Sequence, residues 1–197
     1  MPAPITLALV RHGESTWNAE HRMQGQLDPP LSELGREQSS ALAPLIADLE
    51  AGPVICSDLL RARETAEVLG LEPDRFDPRW REIDMGDWSG KMLAEVDKGQ
   101  IRSWQTGVLA PPHGENWPTF QTRVARALAE AMESGQSVLV VTHGGCIRAV
   151  TAHLTGADRL KLSPPANASL TIFEVGARVR LQSYGLRPQG PETAAIS

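Results

Sequence analysis

An arginine and a histidine stand side by side in this chain, just after an apolar run and just before a glycine: residues 9–14 read Leu-Val-Arg-His-Gly-Glu. A neutral imidazole is a good nucleophile near physiological pH, and a guanidinium fork matches the oxygens of a phosphate. A glycine at this point lets backbone approach closely. The hexapeptide therefore points to phosphoryl chemistry, with His12 as nucleophile and Arg11 as the start of a clamp. Its place at the end of a strand gives the pattern physical meaning. The other catalytic groups must come from elsewhere in the chain.

The elements that must position them follow from hydrophobic pattern. Residues 5–10 and Val138–Thr142 are unbroken apolar runs, with a shorter one at 53–56, and such runs fit strands covered on both faces. Helical spacing of apolar residues predicts helices over 32–49, over 58–69 behind Ser57, and over 118–132 with Asn116 as cap. A further helix opens at Gly144-Gly145 and runs to Leu154, and residues 170–175 and 179–184 read as a terminal hairpin. Strands alternating with helices argue for a three-layer α/β/α sandwich with a mostly parallel, mixed sheet. Residues 1–187 are read as one domain, and 188–197, rich in Gly, Pro and Ala, as a loose tail.

In open α/β sheets ligands collect beyond the carboxyl ends of the strands. Here those ends carry Arg11-His12, then Cys56-Ser57 just before Arg61, then His143-Gly144-Gly145, and one phosphate can touch all three.

Composition narrows the classes. The chain has 197 residues, 41% of them apolar, and a net charge of -5, enough for one buried core and without a basic patch for nucleic acid. No segment reads as a leader or a membrane span, and with two unpaired cysteines a cytoplasmic location is expected. Cys56 and Cys146 are read as small apolar filler. The five histidines form neither a close helical pair nor a cluster with acids, so no metal and no cofactor is expected. Oligomeric state is not legible.

Several separated blocks resemble the histidine phosphatase superfamily, the phosphoglycerate mutase-like enzymes. They are residues 9–18 (Leu-Val-Arg-His-Gly-Glu-Ser-Thr-Trp-Asn), 22–28 with 30–35, 57–66 (Ser-Asp-Leu-Leu-Arg-Ala-Arg-Glu-Thr-Ala), 81–90 (Arg-Glu-Ile-Asp-Met-Gly-Asp-Trp-Ser-Gly) and 141–145 (Val-Thr-His-Gly-Gly). The resemblance implies that His12 attacks phosphorus to form a phosphohistidine, with Arg11, Arg61 and His143 as the phosphate clamp. It implies that Glu82 protonates the leaving group and then activates water, with Asp84 and Asp87 as nearby rivals. Asn18 matches a phosphate donor, Gly144 and Gly13 permit close approach, and Gln24 and Gly25, with His21 and Arg22, lie in a loop that touches substrate.

The expected activity is a metal-independent phosphoric monoester hydrolase of the histidine acid phosphatase type, acting on a small-molecule phosphomonoester. The alternatives are a cofactor-dependent phosphoglycerate mutase and a non-catalytic phosphate-binding module. Mutases of the family carry an extra segment between the acid block and the second histidine, whereas this chain has only about sixty residues there, which favours water entry and hydrolysis. The chain departs from the pattern at residues 111–117, where His113 stands for a glycine and Asn116 for a serine. Trp104 and Trp117 are candidates for an apolar wall of the pocket.

Overall fold

The computed structural model describes residues 3–49 and 52–188. The elements are β1 (Ile5–Arg11), α1 (Thr16–Ala19), α2 (Glu33–Ala41), α3 (Ala43–Ala47), β2 (Val54–Cys56), α4 (Leu60–Val68) and β3 (Arg75–Phe76), followed by α5 (Lys98–Gln105), α6 (Trp117–Met132), β4 (Val138–Thr142), α7 (Gly144–Thr155), β5 (Ser169–Val175) and β6 (Val179–Leu186). Six strands form one sheet in the order β3-β2-β4-β1-β5-β6. The pairs β2–β3, β2–β4 and β1–β4 are parallel, and β1–β5 and β5–β6 antiparallel. The mixed, mostly parallel sheet expected from the sequence is present.

Period-two alternation splits the core into two layers. Leu7, Leu9, Val138, Val140 and Phe173 face one side, against Phe120, Val124 and Leu128 of α6 and Ile147 and Val150 of α7. Ala8, Val10, Leu139, Val141 and Leu170 face the other, against Leu42 and Ile46 and against Ala62 and Ala66 of α4. Every residue of β4 is buried, as befits the central strand of a covered sheet.

Local differences from the sequence reading have identifiable causes. The helix expected over 32–49 is two helices meeting at Leu42, because Pro44 lies in the first turn of α3, the one place where a missing N–H is harmless. The helix expected from residue 58 begins at Leu60, with extended Leu59 as cap and no side-chain cap bond. Asn116 does cap α6, its Oδ1 accepting from Thr119 N–H at 2.8 Å. The tail lies, beyond Pro188, outside the described residues.

Register positions the site. Arg11 pairs with Thr142, and Cys56 pairs with Val141, so His12, His143 and Ser57 leave the sheet together at one rim. His12 N–H donates to Thr142 O at 3.0 Å, and Ser57 N–H to Val141 O at 2.9 Å, extending the ladder one residue further.

Candidate active site

At that rim the His12 and His143 rings sit edge to face with centroids 5.1 Å apart. His12 Nδ1 lies 2.6 Å from Gly13 O, which assigns its proton to Nδ1. The lone pair is then on Nε2, which has no protein partner among the described residues. Burial first, then the Arg61 and Arg11 guanidiniums, hold the His12 imidazole well below its ordinary pKa, so it is neutral at pH 7. His143 is depressed in the same way, by burial and then by Arg61, His12 and Arg11. Its Nε2 meets Ser57 Oγ at 2.8 Å, while its Nδ1 is buried without a partner.

Arg61 projects from α4 into the core, its Nη1 donating to Leu27 O at 2.8 Å and its Nη2 to Gly25 O at 2.9 Å. Burial pulls it down to about 10, still fully charged near neutrality. Arg63, two residues on, is exposed and stacks 5.3 Å over Phe76. Arg11 donates Nη1 to Pro165 O and is likewise lowered by burial. Neither Arg11 nor Arg61 forms an ion pair among the described residues, and both Nε atoms are buried and unpartnered. Each buried donor left unmade costs about 1–3 kcal/mol. Both guanidiniums line one cavity, where their uncompensated positive charge suits an anion.

Glu82 comes from the segment between β3 and α5. Its Oε2 accepts from Gly145 N–H at 2.9 Å and its Oε1 from Ile83 N–H at 2.9 Å, so the carboxylate rests on the N-terminal turn of α7. A Cβ on Gly145 would sit 2.0 Å from Glu82 Oε1, so only glycine leaves room for this carboxylate. The rivals are elsewhere: Asp84 accepts from Gly86 N–H in a turn, and Asp87 faces the exposed His113 ring at 3.1 Å.

One cavity gathers these groups. Its walls include Arg11, His12, Asn18, Gln24, Gly25, Arg61, Glu82 and Gly144, with Trp104 and Trp117 on the apolar side. His143 does not line it but lies beneath, against the His12 ring. Asn18 Oδ1 accepts from Ser15 N–H and from Asn167 Nδ2, which leaves its own NH2 free to donate. Gln24 Oε1 lies 2.8 Å from Ser15 Oγ, with the same result for its amide nitrogen. Gly13 makes its close approach to a helix, not to the cavity, for a Cβ there would meet Gly35 O of α2 at 2.3 Å. His21 is exposed and outside the cavity, whereas Arg22 lines it.

Three contributors, Asn167, Arg123 and Arg148, escaped sequence reasoning, as did the part played by Ser57, which the sequence placed only at a strand end. Asn167 Nδ2 donates to Gly13 O at 3.1 Å and to Asn18 Oδ1 at 3.0 Å, tying the loop after β1 to the loop before β5. The Arg123 guanidinium donates to the carbonyls of Arg79, Arg81 and Glu82 and pairs with Glu115 at 2.7 Å, pinning the backbone that carries Glu82. Ser57 orients His143. Arg148 lines the cavity four residues after Gly144 on α7, and that helical interval was the signal available for it. Cys56 and Cys146 are free and buried, and burial lifts both thiols to about 12, which leaves them inert as read.

The family model described as histidine phosphatase superfamily (branch 1) matches residues 7–184. This chain belongs to that superfamily. Glucosyl-3-phosphoglycerate phosphatase of Mycolicibacterium vanbaalenii is 39% identical over 166 residues, covering 76% of this chain and 74% of the relative. A probable phosphoglycerate mutase, GpmB of Salmonella paratyphi C, is 38% identical over 156 residues, covering 73% of each. Among solved histidine phosphatase structures, a mycobacterial glucosyl-3-phosphoglycerate phosphatase complexed with VO3 superposes with a TM-score of 0.80 at 34% identity, covering 91% of this chain and 98% of that one. YhfR of Bacillus stearothermophilus gives 0.84 at 33% identity, covering 92% and 96%. Among the described residues no helix is long and apolar enough to cross a membrane, and no three His, Cys, Asp or Glu side chains form a metal-binding group.

Proposed function

We propose that this histidine phosphatase superfamily protein hydrolyses a small-molecule phosphomonoester by way of a phosphohistidine, without a metal. The observation that carries the reading is a neutral imidazole whose Nδ1 is anchored on Gly13 O, with Nε2 left beside two buried, unpaired guanidiniums. His12 Nε2 forms a bond to phosphorus while the bond from phosphorus to the leaving oxygen breaks, and Glu82 gives that oxygen its proton. A water then attacks phosphorus, surrendering a proton to Glu82, and the P–N bond breaks to restore His12. Arg11, Arg61 and the amide nitrogens of Asn18 and Gln24 hold the nonbridging oxygens as charge redistributes in a loose, in-line transition state. His143, neutral and held by Ser57, fills the floor against the His12 ring.

The relatives named glucosyl-3-phosphoglycerate phosphatase make phosphorylated glycerate derivatives the first substrates to test. The likeness to GpmB keeps a mutase reading in view. Purified protein is mixed with labelled ester, quenched rapidly in alkali, in which the P–N bond survives, and searched by mass spectrometry for phosphate on His12, with released phosphate and positional isomers measured in parallel. Labelled His12 with free phosphate is expected, and His12→Ala abolishes both. Isomer without phosphate supports the mutase, and full turnover by His12→Ala overturns the mechanism.

A further inference from the structure

Glu82 is carried by irregular backbone: the short turn of Pro78–Trp80 ends before it, and the next begins at Gly86. Side chains do there what a ladder does in a strand. The carbonyls of Arg79, Arg81 and Glu82 accept from the Arg123 guanidinium at 2.8, 3.0 and 3.2 Å, and Trp80 O accepts from Thr142 Oγ1 at 2.8 Å. The rest of the guanidinium meets the Glu115 carboxylate, Nε on Oε1 at 3.0 Å and Nη2 on Oε2 at 2.7 Å. Every N–H of Arg123 thus has an acceptor of its own. Glu115 belongs to the segment 111–117 that departs from the family pattern, and of that segment only Trp117 lines the cavity. The segment packs instead on the backbone beyond Glu82, with Glu115 N–H donating to Asp84 O and Asp87 N–H to Pro112 O, both at 2.9 Å. Burial works to lower the Arg123 pKa, but the Glu115 carboxylate more than offsets it and holds the guanidinium above its ordinary value, so it stays charged.

Taking Glu82 as the acid of the phosphomonoesterase reading, on which this inference rests, we propose that the Arg123–Glu115 pair is its positioning device. Neither side chain lines the cavity, so the pair touches no ester and acts on the reaction only through where it holds the Glu82 carboxylate. That carboxylate has two bonds of its own, from Gly145 N–H and Ile83 N–H, and both depend on the course of residues 81–83. A turn of the Glu82 peptide away from Arg123 carries the carboxylate off α7. Cutting away one partner of a buried ion pair destabilises the fold, so deletion of Arg123 would mix position with stability. Lysine keeps the charge opposite Glu115, but its ammonium is a compact point on a flexible stem and lacks the planar fork that meets three carbonyls and a carboxylate at once.

Arg123→Lys is compared with wild type on sn-glycerol 3-phosphate, whose alkoxide must be protonated to leave, and on p-nitrophenyl phosphate, whose leaving group needs no proton. The measure is kcat/KM, which extends only to departure of the alcohol. It is expected to fall about ten- to a hundredfold on the alkyl ester and less than about threefold on the aryl ester. In a Glu82→Gln background the same change is expected to cost less than about twofold on the alkyl ester, since the group it positions is already gone. Glu115→Gln, which keeps the shape of the pair without its charge, is expected to show the same bias to a smaller degree, and it carries the comparison if Arg123→Lys melts below assay temperature. Amide hydrogen exchange reads position without turnover. Gly145 and Ile83 N–H are expected to exchange about tenfold faster in either variant, while Thr65 N–H within α4 keeps its rate. Wild type that hydrolyses neither ester would sink the phosphatase reading, and the exchange rates would still decide the positioning. Equal losses on both esters, undiminished cost in the Glu82→Gln background, or unchanged exchange at Gly145 and Ile83 overturns the proposal.

Discussion

Gly145→Ala separates the position of the Glu82 carboxylate from the stability of the fold. An alanine Cβ would stand 2.0 Å from Glu82 Oε1 and 3.0 Å from its Cδ, well inside any permitted contact. The intruded atoms are the far end of a flexible side chain, so the carboxylate swings away and the backbone stays. Helix propensity pulls the other way, since Ala is favoured over Gly by up to about 1 kcal/mol in the first turns of α7. In a chain of 197 residues that raises Tm by about 2–4 °C at most. Displacement of Glu82 from Gly145 N–H and Ile83 N–H removes the general acid of the proposed mechanism, a loss of about 10²–10⁴ in rate, or about 3–5 kcal/mol of transition-state stabilisation. An alkyl phosphate needs its leaving oxygen protonated, whereas p-nitrophenolate leaves readily without help. The variant is therefore expected to melt no lower than wild type, to lose alkyl phosphate turnover by two orders of magnitude or more, and to retain much more of its aryl phosphate turnover. Undiminished alkyl phosphate hydrolysis would refute the role given to the carboxylate, and equal losses on both esters would move the acid elsewhere.

Three further outcomes follow from the geometry. The folded-state pKa values of His12 and His143 are depressed, so kcat/KM is expected to show no acid limb at pH 6.5. Stability from these imidazoles is full above about pH 6.5 and falls as pH drops toward the folded values, by up to about 1.4 kcal/mol per imidazole per pH unit; denaturant midpoints at pH 7.5 and 5.5 measure it, and equal midpoints would contradict it. His113 holds φ at +58° where a glycine is expected, a left-handed conformation costing about 1–2 kcal/mol, partly offset by the greater unfolded-state freedom of glycine. His113→Gly should raise Tm by about 2–4 °C in a thermal melt, and a lower Tm would show that the loop is unstrained.

Much of the fold was legible because buried strands and capped helices leave local marks. The runs at residues 5–10 and Val138–Thr142 could hardly be anything but covered strands, and Asn116 announced α6. The break at Leu42 was also written in the chain, at Pro44, but apolar spacing continued across it and hid the boundary. The two-residue strand Arg75–Phe76 has no pattern to detect, since it is held only by its ladder with β2. The cavity residues His12, Arg61 and Glu82 could be named because each sits in a dense motif. Asn167 and Arg123 could not, because a lone asparagine in a proline-rich loop and one arginine on a helix look like any others until tertiary packing brings carbonyls to them. Arg148 falls between, visible only to a reader who carries the Gly144 face one turn along α7.

The first strand lies between two of the last. β1 is hydrogen-bonded to β4 on one side and to β5 on the other, across gaps of about 130 and 160 residues. A ribosome delivering this chain from its amino end therefore exposes the segment that carries Arg11 and His12 long before its neighbours exist. Until residue 142 has emerged that segment is an apolar strand with two open edges, and until residue 175 it keeps one, the kind of surface that chaperones recognise and that aggregates when left alone. The long closure also makes native folding slow compared with helix formation. Function in this architecture is a late event in biosynthesis: a chain cut short before β5 would carry every motif of the clamp and still be unable to bring its parts together.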